Sequence, residues 1–466
     1  MKKKKKTLDN DTVNKLIVEY NKKKNDLLKQ YFNLFDREFD IFNISKNIID
    51  NNSKIWCPPI DVKLKNIKIN SWFTIKESKE IENNDIDCDF EFDKLEDCDT
   101  IAKKVILKLT NQQKNIINKW LEGYRKLYNE ALRKIKSNVG LPLFTLDWKK
   151  MRSQLKNEKE EIVKESGIKV HDVDYSIKLA CQNYKSAYSN YKKGYIKHFR
   201  IRYWGKGKQC KIMDLEKSNF KSGSIRKDKL GIVKGYYNGK EFNFKEIQHD
   251  CRLKYDGIKK EYYLFVPEKV ICTEINKRGK IISIDPGVRV FGTGITENKV
   301  VEIGKESSER IKKYMNKKDK ATKNEKIPDN KKKKIEKECN KKIKNLVNEL
   351  HWKSINYLTK NYDVILIGNM SPKGIIRKGG NLNKMTKRMV SALSFYNFRE
   401  RLKYKCKIRD TKYKMVNEYY TSKMCSKCGR INKELGSSEI FKCEKCNLKI
   451  GRDYNGCRGI YLKNFI

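Results

Sequence analysis

Apolar residues recur at two different spacings along the chain, and each change of spacing predicts a change of secondary structure. The stretch KKVILKLT at 103–110 alternates like a strand. After it, apolar residues recur every three or four positions on one face, which predicts a helix. Thr110 and Gln113 have the spacing of a capping box at the start of that helix. A second helix is predicted over Ser176–Tyr195, where tyrosines alternate with lysines.

The spacing of two returns from Cys210 to Val270. Within this region CRLKYDGIKKEYYLFV predicts a hairpin that turns at Asp256–Gly257, with alternating residues on each arm. Together with the strand that begins at Lys103, these strands predict a small β-barrel. The helical segment, about 111–205, is then an insertion into that barrel.

A third pattern begins with GKIISIDPGVRVFGTGI at 279–295. It reads as a buried strand, an acid at the strand end (Asp285), a Pro–Gly turn and a returning strand. A long basic helical region, Ser307–Lys360, and another buried strand, Val364–Ile367, follow. Asp453 then opens a last helix. Strand, acid, turn, strand, long helix, strand and acid-bearing helix describe an RNase H-like layout, which is a mixed α/β fold.

Two Cys-x-x-Cys pairs lie fourteen residues apart near the end of the chain: Cys425 with Cys428, and Cys443 with Cys446. Each pair brings two thiolates together on a tight turn, and two such turns supply the four sulfurs of a tetrahedral Zn²⁺ site. All four positions are then occupied by protein, so the predicted zinc ribbon is structural. Four reduced cysteines placed by chance, or a disulfide pair, are the alternatives.

Composition points to a polyanionic partner. The 466 residues carry 107 Lys and Arg against 58 Asp and Glu, a formal net charge of +49. Such self-repulsion favours nucleic acid as the partner, although AT-biased coding accounts for part of the lysine. An anionic membrane is disfavoured because no run approaches 18 apolar residues and mean hydropathy is −0.81. The tyrosine–lysine stretch suits base stacking, although packing is the simpler explanation.

Cellular context is predicted from cysteines and the first residues. Of the 14 cysteines, ten lie outside the ribbon without a disulfide framework, and no secretory signal is recognised, so we expect a reducing compartment. The opening MKKKKK predicts nuclear import in a eukaryotic host, whether the gene belongs to the host or to a virus. An electrostatic tail is the alternative reading of that cluster.

Clustered carboxylates in an RNase H-like layout hold two Mg²⁺ ions about 4 Å apart. One ion activates the attacking water, and the other stabilises the leaving oxygen of a phosphodiester. The acids must come from adjacent strands and one helix. Asp285 supplies the position on the first strand, and Asp453 supplies the position on the helix.

At these residues the chain resembles the TnpB–Fanzor family of RNA-guided DNA endonucleases, which are relatives of the type V CRISPR effectors. The resemblance covers about 102–466 and rests on four motifs: IDPGVR at 284–289, YTSKMCSKCG at 420–429 with CEKC at 443–446, GRDYNGCRGI at 451–460, and QQKNIINKWLEGYRKLYNEAL at 112–132. The C-terminal motifs in this order are very specific, whereas the middle of the chain is looser.

The resemblance implies an α/β multidomain fold. Its parts are an RNase H-like RuvC nuclease with an inserted zinc ribbon, and a β-barrel wedge domain with a helical recognition insert. The expected boundaries are an N-terminal extension without an assigned role (1–100), a first wedge strand (101–110), the recognition domain (111–205), the wedge barrel (206–275), the nuclease (276–420), the zinc ribbon that binds target nucleic acid (421–450) and the last nuclease helix (451–466).

One position departs from the family pattern. In most of the family a Glu follows the strand matched here by Val364–Ile367, but this chain has Gly368. We predict that Glu418 supplies the third acid from the end of the neighbouring strand, as in rearranged members, Fanzors especially. Asn369 is a weaker substitute, and Asp363 lies at the wrong end of its strand. An exposed Glu418 and an inactive nuclease form the opposing hypothesis.

The resulting prediction is a Mg²⁺-dependent, RNA-guided DNA endonuclease with Asp285, Glu418 and Asp453 as the catalytic metal ligands. Its partners are a guide RNA and target DNA, and the expected complex is one protein with one RNA, away from membranes. Arg452 and Asn455 are predicted to orient the scissile phosphate or the acid, with surface roles as the alternative. A nuclease-dead RNA-guided regulator and a transposition accessory protein are the rival functions.

His351 and Trp352 lie on a helix with an apolar stripe, and we expect both in the core.

Overall fold

The computed structural model divides the chain into two compact units, one formed by Met1–Glu96 with Ile271–Ile466 and the other by Asp97–Val270. It describes residues 45–464 apart from residue 47 and the following stretches: 69–71, 82–91, 93–99, 142–143, 208–209, 270–279, 373–375, 377–381, 433 and 437. The basic cluster at the start of the chain lies outside the described residues, so nuclear import stays a prediction.

The strands are, in chain order, β1 (Leu64–Lys68), β2 (Thr74–Ser78), β3 (Thr100–Lys108), β4 (Cys210–Leu215), β5 (Lys234–Tyr237), β6 (Lys240–Glu241), β7 (Cys251–Asp256), β8 (Glu261–Lys269), β9 (Ile281–Pro286), β10 (Gly292–Ile295), β11 (Val300–Ile303), β12 (Val364–Gly368), β13 (Lys412–Val416), β14 (Ile440–Lys442) and β15 (Lys449–Gly451). The α-helices are α1 (Asn111–Ser137), α2 (Trp148–Gln154), α3 (Lys156–Ser166), α4 (Val170–Lys192), α5 (Lys227–Leu230), α6 (Ser307–Lys323), α7 (Asp329–Asn361), α8 (Lys384–Leu393), α9 (Phe395–Ile408) and α10 (Arg452–Leu462).

The unit at 97–270 places four helices, α1 to α4, between β3 and β4, as the insertion was predicted. The capping box is confirmed, because Thr110 accepts from the Gln113 N–H and Gln113 accepts from the Thr110 N–H. The predicted hairpin is also confirmed, since β7 pairs with β8 and Asp256 pairs with Glu261. The antiparallel sheet runs β4–β7–β8–β3–β5–β6, and among the described strands β4 and β6 remain edges, so the predicted barrel is not confirmed.

The other unit contains a seven-stranded sheet in the order β1–β2–β11–β10–β9–β12–β13. Strands β9, β12 and β13 are parallel neighbours, and Ile367 lies beside Ile284 on one side and Met415 on the other. Because parallel strands end at the same edge, Asp285, Gly368 and the residues after Val416 meet there. The mixed α/β fold and this predicted strand order are both confirmed.

Helices cover both faces of this sheet. On one face α10 buries Cys457, Ile460 and Tyr461 against β9 and β12. On the other face α7, α8 and α9 enclose an aromatic core, in which His351 is completely buried as expected. Trp352 is 43% exposed, so its predicted burial is wrong. Adjacent positions of a helix point about 100° apart, so Trp352 turns outward beside Arg401.

The N-terminal extension, which had no predicted role, extends this same sheet. Strand β2 pairs with the edge of β11, and β1 pairs with β2. Phe73 and Ile75 are completely buried beneath the sheet. Strand β2 therefore occupies the pairing edge that β11 would otherwise present.

Across the described residues, no helix combines the length and the apolar composition that crossing a bilayer requires.

Gln113 provides a stability test of the 97–270 unit. Its side chain is buried, accepts from the Thr110 N–H and donates to the Leu230 and Ile232 carbonyls at 2.8 and 3.0 Å. Gln113→Ala leaves these groups unpaired, so we expect a loss of about 2 kcal/mol of unfolding free energy. Hydrogen exchange of core amides in α1 measures this loss. The exposed Gln112→Ala serves as the control, and an equal loss in both variants would contradict the prediction.

Candidate functional site

The four ribbon cysteines form one cluster. Their sulfurs all lie within 4.8 Å of one another, and the Cys425–Cys446 and Cys428–Cys443 sulfurs are 3.5 Å apart. A disulfide requires about 2.05 Å, whereas tetrahedral thiolates around Zn²⁺ at about 2.3 Å lie roughly 3.8 Å from each other. The cluster therefore fits a structural zinc ion and not a disulfide.

Two similar turns shape this cluster. The Cys425 N–H donates to the Arg430 carbonyl at 2.8 Å, and the Cys443 N–H donates to the Leu448 carbonyl at 2.9 Å. The turns pass through Gly429 and Asn447, whose φ angles of +70° and +54° lie in the left-handed region. Glycine and asparagine adopt that region more readily than other residues, which is why these two types complete the turns.

Asp285 lies at the carboxyl edge of the large sheet, tightly against α10. A Cβ atom at Gly456 would lie only 2.8 Å from the Asp285 Oδ2, so only glycine permits this approach. Burial raises the pKa of Asp285 well above its ordinary value, and the charges of Glu418 and Asp453 raise it further. Arg452 acts in the opposite direction. Asp285 therefore shares one electrostatic environment with both other predicted acids.

Glu418 lies directly over the backbone of Gly368. A Cβ atom at residue 368 would lie 2.8 Å from both Cγ and Cδ of Glu418, so a side chain there and this carboxyl exclude each other. Burial raises the pKa of Glu418 to about 7, with Arg399 opposing the rise. The charge of Glu418 is one of the causes that raise the pKa of Asp285, so the two carboxyls titrate as a coupled pair.

One oxygen of Glu418 lacks a partner. Its Oε1 is buried and accepts no hydrogen bond from the residues that the structure describes. A buried carboxylate oxygen without a donor is costly, and a bound cation removes that cost. With Asp285 and Asp453 nearby, these residues fit a divalent cation that prefers oxygen ligands, such as Mg²⁺.

Asp453 completes the predicted acid group from the first turn of α10, where it is exposed. Within the described part of the chain, only the four cysteines bring three or more ligand atoms all within 4.8 Å. The carboxylates are therefore spread more widely than the ligands of a single ion. The ligands of two ions about 4 Å apart are likewise spread more widely than those of one ion.

The two predicted orienting residues already make contacts within the protein. Arg452 donates to the Gly436 carbonyl at 3.0 Å. The fully buried Asn455 accepts from the Ser426 N–H at 3.0 Å and donates to the Met424 carbonyl at 2.8 Å. Asn455 thereby fastens α10 to the first cysteine turn. A contact with phosphate stays a prediction for both residues.

The alternative acid positions lie elsewhere. Asp363 precedes β12 at the opposite end of the strand from Gly368, and its N–H donates to the Lys280 carbonyl. Asn369 is exposed, and its N–H donates to the Val416 carbonyl at 2.8 Å.

Arg399 is the residue at this site that sequence reasoning missed. It is 9% exposed on α9, donates to the Met370 carbonyl at 2.9 Å and lowers the pKa of Glu418. Its guanidinium therefore lies between the loop after Gly368 and the rearranged acid. No local pattern distinguishes it from the other basic residues of that helix.

Fold and site together define a mixed α/β protein with an acid-lined sheet edge and a four-cysteine module just before its last helix. Two family models match parts of it: a Cas12f1-like TNB domain over 395–460 and a helix-turn-helix domain of the IS605 OrfB type over 100–140. TnpB-like protein L770 of Acanthamoeba polyphaga mimivirus is 30% identical over 382 residues, which is 77% of this chain and 72% of that protein.

The chain belongs to the TnpB superfamily and is Fanzor-like, as the sequence resemblance indicated. A CRISPR-associated endodeoxyribonuclease, Cas12f1 of Sulfoacidibacillus thermotolerans, is 30% identical over 86 residues, 18% of this chain and 20% of that protein. A Cas12f1–sgRNA–target DNA complex matches with a TM-score of 0.44 and 14% identity, covering 75% of this chain and 83% of the Cas12f1 chain.

The raised pKa of Glu418 predicts an unusual pH dependence. Its pKa is higher in the folded chain than in the unfolded chain, so its contribution to stability is greatest below about pH 4.3 and falls as pH rises through about 7. In magnesium-free buffer at pH 8, Glu418→Gln should therefore be more stable than the unsubstituted protein by about 1–3 kcal/mol, and at pH 4 by little. Urea unfolding at both pH values measures this.

Magnesium should reverse that order, because only the unsubstituted protein gains stability by binding the ion. The exposed Glu400→Gln is the matched control and should follow the unsubstituted protein throughout. Equal stability of Glu418→Gln and Glu400→Gln at pH 8, with and without magnesium, would contradict both the buried charge and the ion.

Proposed function

We propose that this chain is an RNA-guided DNA endonuclease that cleaves guide-complementary DNA next to a short motif read by the protein. The observation that carries the proposal is the Glu418 carboxyl, which occupies the space over Gly368 and acts electrostatically on Asp285. The chain thereby has three acids at one sheet edge even though the usual third acid of the family is missing.

The three acids come from different elements of the fold, and together they would hold the metal ions. Two Mg²⁺ ions, when bound, would supply the positive charge that activates a water molecule and stabilises the leaving oxygen of a phosphodiester. Asp285 from β9, Glu418 from the chain after β13 and Asp453 from α10 would hold these ions together. Arg399 would keep Glu418 in its ionised form, as its effect on the pKa of that acid indicates.

Moving the third acid from the strand that ends at Gly368 to the neighbouring strand that ends at Val416 costs little free energy here. Gly368 and Val416 are register partners on adjacent parallel strands, so the chain after Val416 passes the vacated position. The longer side chain of a glutamate two residues beyond Val416 reaches across one strand spacing, about 4.8 Å. Gly368 leaves the room that this carboxyl needs. The missing side chain at Gly368 and the glutamate at position 418 therefore account for each other.

Nucleic-acid binding is supported by exposed basic surface in both units. In the 97–270 unit Tyr191 and Tyr195 are 47% and 75% exposed, and Lys192 and Lys193 beside them have no carboxylate partner in the described part of the chain. Rings beside ammonium groups suit contacts with bases and phosphates. In the other unit, α6 and the first half of α7 present a largely exposed lysine-rich surface.

The finer assignments belong to the same proposal. Residues 111–205 would be the recognition domain, 101–110 and 206–275 the wedge, and 421–450 the zinc ribbon that loads the substrate strand. The zinc would be structural and the magnesium catalytic. One protein would act with one guide RNA, in the nucleus of a eukaryotic host. The names of the relatives support the class: one is a CRISPR-associated endodeoxyribonuclease and others are called TnpB-like.

A second function is favoured by one observation. Gly368 stands where most of the family has a glutamate, so an RNA-guided DNA-binding protein without nuclease activity is the alternative. Base pairing with the guide would still select the target. The two functions share every binding step and differ only in cleavage.

Cleavage of guide-matched plasmid DNA in the presence of Mg²⁺ tests the proposal. Asp285→Ala and Glu418→Ala should each reduce cleavage at least about a hundredfold, because the charge of the transition state then lacks an ion position. Glu400→Ala, an exposed acid of α9, should change the rate by no more than about twofold. Guide-dependent binding without cleavage in the unsubstituted protein would establish the alternative function.

Returning the third acid to position 368 tests whether Glu418 replaces it. Gly368→Glu alone should lower cleavage about tenfold or more, because its side chain collides with Glu418. Adding Glu418→Ala removes the collision and returns an acid to the usual strand, so the double variant should cleave faster than either single variant. Additive losses in the double variant would show that the two positions are independent.

A further inference from the structure

Arg458 is a buried cation that the proposed reaction does not use. It is 1% exposed on α10, five residues after Asp453. Its Nη1 donates to the carbonyl of Ser426 in the first cysteine turn, and its Nη2 donates to the carbonyl of Asn52. Both Nε and Nη2 also donate to the Ile55 carbonyl, at 3.3 and 3.0 Å. One side chain thus joins three distant parts of the chain.

All of these partners are neutral carbonyl groups. Within the described part of the chain no carboxylate forms an ion pair with Arg458, and a buried guanidinium without a counter-charge is strongly destabilising. Burial lowers the pKa of Arg458, and negative charge on the sulfur of Cys57 or Cys425 raises it. Cys425 belongs to the four-cysteine cluster, and Cys57 packs against that cluster from the N-terminal extension.

Zinc binding changes the charge around the Arg458 guanidinium. Four thiolates around one Zn²⁺ carry a net negative charge, whereas four thiols without metal carry none. The metal-loaded cluster therefore supplies the counter-charge that the carbonyl groups lack. Because the guanidinium also holds residues 52–55, the charge of the cluster reaches the N-terminal extension through this side chain.

Arg458 also lies on the helix that carries Asp453. Asn455 fixes one side of α10 to the cysteine turn, and the Cys457 thiol donates to the Thr293 carbonyl of β10 at 2.9 Å. Gly456 lies against Asp285 between these contacts. Any loosening of Arg458 would therefore act on the helix that sets the separation of Asp453 and Asp285.

We propose that Arg458 is a positioning residue that couples zinc binding by the four cysteines to the docking of residues 52–57 and, resting on the proposed function, to the placement of Asp453. Coupling is reciprocal: if zinc stabilises the docked segment, docking of the segment must strengthen zinc binding by the same factor. The N-terminal extension is then an outer layer of the zinc site as well as an edge of the sheet.

Zinc affinity of the full chain, measured by competition with a chromophoric chelator, tests the coupling. Arg458→Met keeps the apolar bulk and removes the charge, and we expect about tenfold weaker zinc binding, the size typical of a partner beyond the ligands. Arg458→Lys should retain more of the affinity because the charge remains. Arg430→Met, an exposed arginine of the same ribbon, is the matched control and should bind zinc as the unsubstituted protein does.

Hydrogen exchange of residues 48–57 supplies a second readout that needs no nuclease activity. Removing zinc from the unsubstituted protein should increase exchange in this segment as well as in the ribbon. In Arg458→Met the segment should exchange rapidly with or without zinc. Protection of 48–57 that survives zinc removal would overturn the proposal, and so would equal zinc affinity in Arg458→Met and Arg430→Met. If the unsubstituted protein does not cleave DNA but zinc still protects residues 48–57, only the proposed function is contradicted.

Discussion

Crowding of carboxylates at one edge of a sheet is the constraint on which the rest of this structure depends. Asp285 is pressed between α10 and the neighbouring strands, and the charges of Glu418 and Asp453 raise its pKa together with burial. Like charges this close are stable only with protons or cations between them. Both glycines at the site make this crowding possible. The absence of a side chain at Gly456 leaves room for Asp285, and its absence at Gly368 leaves room for Glu418.

The four-cysteine ribbon is best understood as the support of this edge. Its first turn holds α10 through Asn455 and Arg458, so the acid at the start of that helix depends on a module whose four cysteines fit a structural zinc ion. The N-terminal extension continues the support on the outside, where β2 pairs with β11 and residues 52–55 accept from Arg458. A site with mutually repelling groups needs such a rigid frame to hold its geometry.

The sequence predicted features that depend on residues close together in the chain, but it did not predict contacts between residues far apart. The capping box of Thr110 and Gln113, the turn after Asp256 and the cysteine spacing each act within a few residues, so spacing alone predicted them. The contacts of Arg458 with Ile55 span 403 positions, and nothing in either local pattern indicates the other. The same holds for β2, whose pairing with β11 gave the N-terminal extension its place. The position of Glu418 over Gly368 followed from strand order, because the missing side chain at Gly368 left room beside the neighbouring strand, and its role as the third acid stays a prediction.

The most direct measurement is an X-ray structure of the protein with guide RNA, target DNA and Mn²⁺ in place of Mg²⁺, with anomalous scattering locating the ions. The account predicts two manganese peaks roughly 4 Å apart, with an oxygen of Glu418 about 2.1 Å from one of them and Asp285 contacting both. Peaks held by Asp285 and Asp453 alone, with the Glu418 carboxylate more than about 10 Å away, would contradict it. No manganese at this sheet edge would contradict it as well.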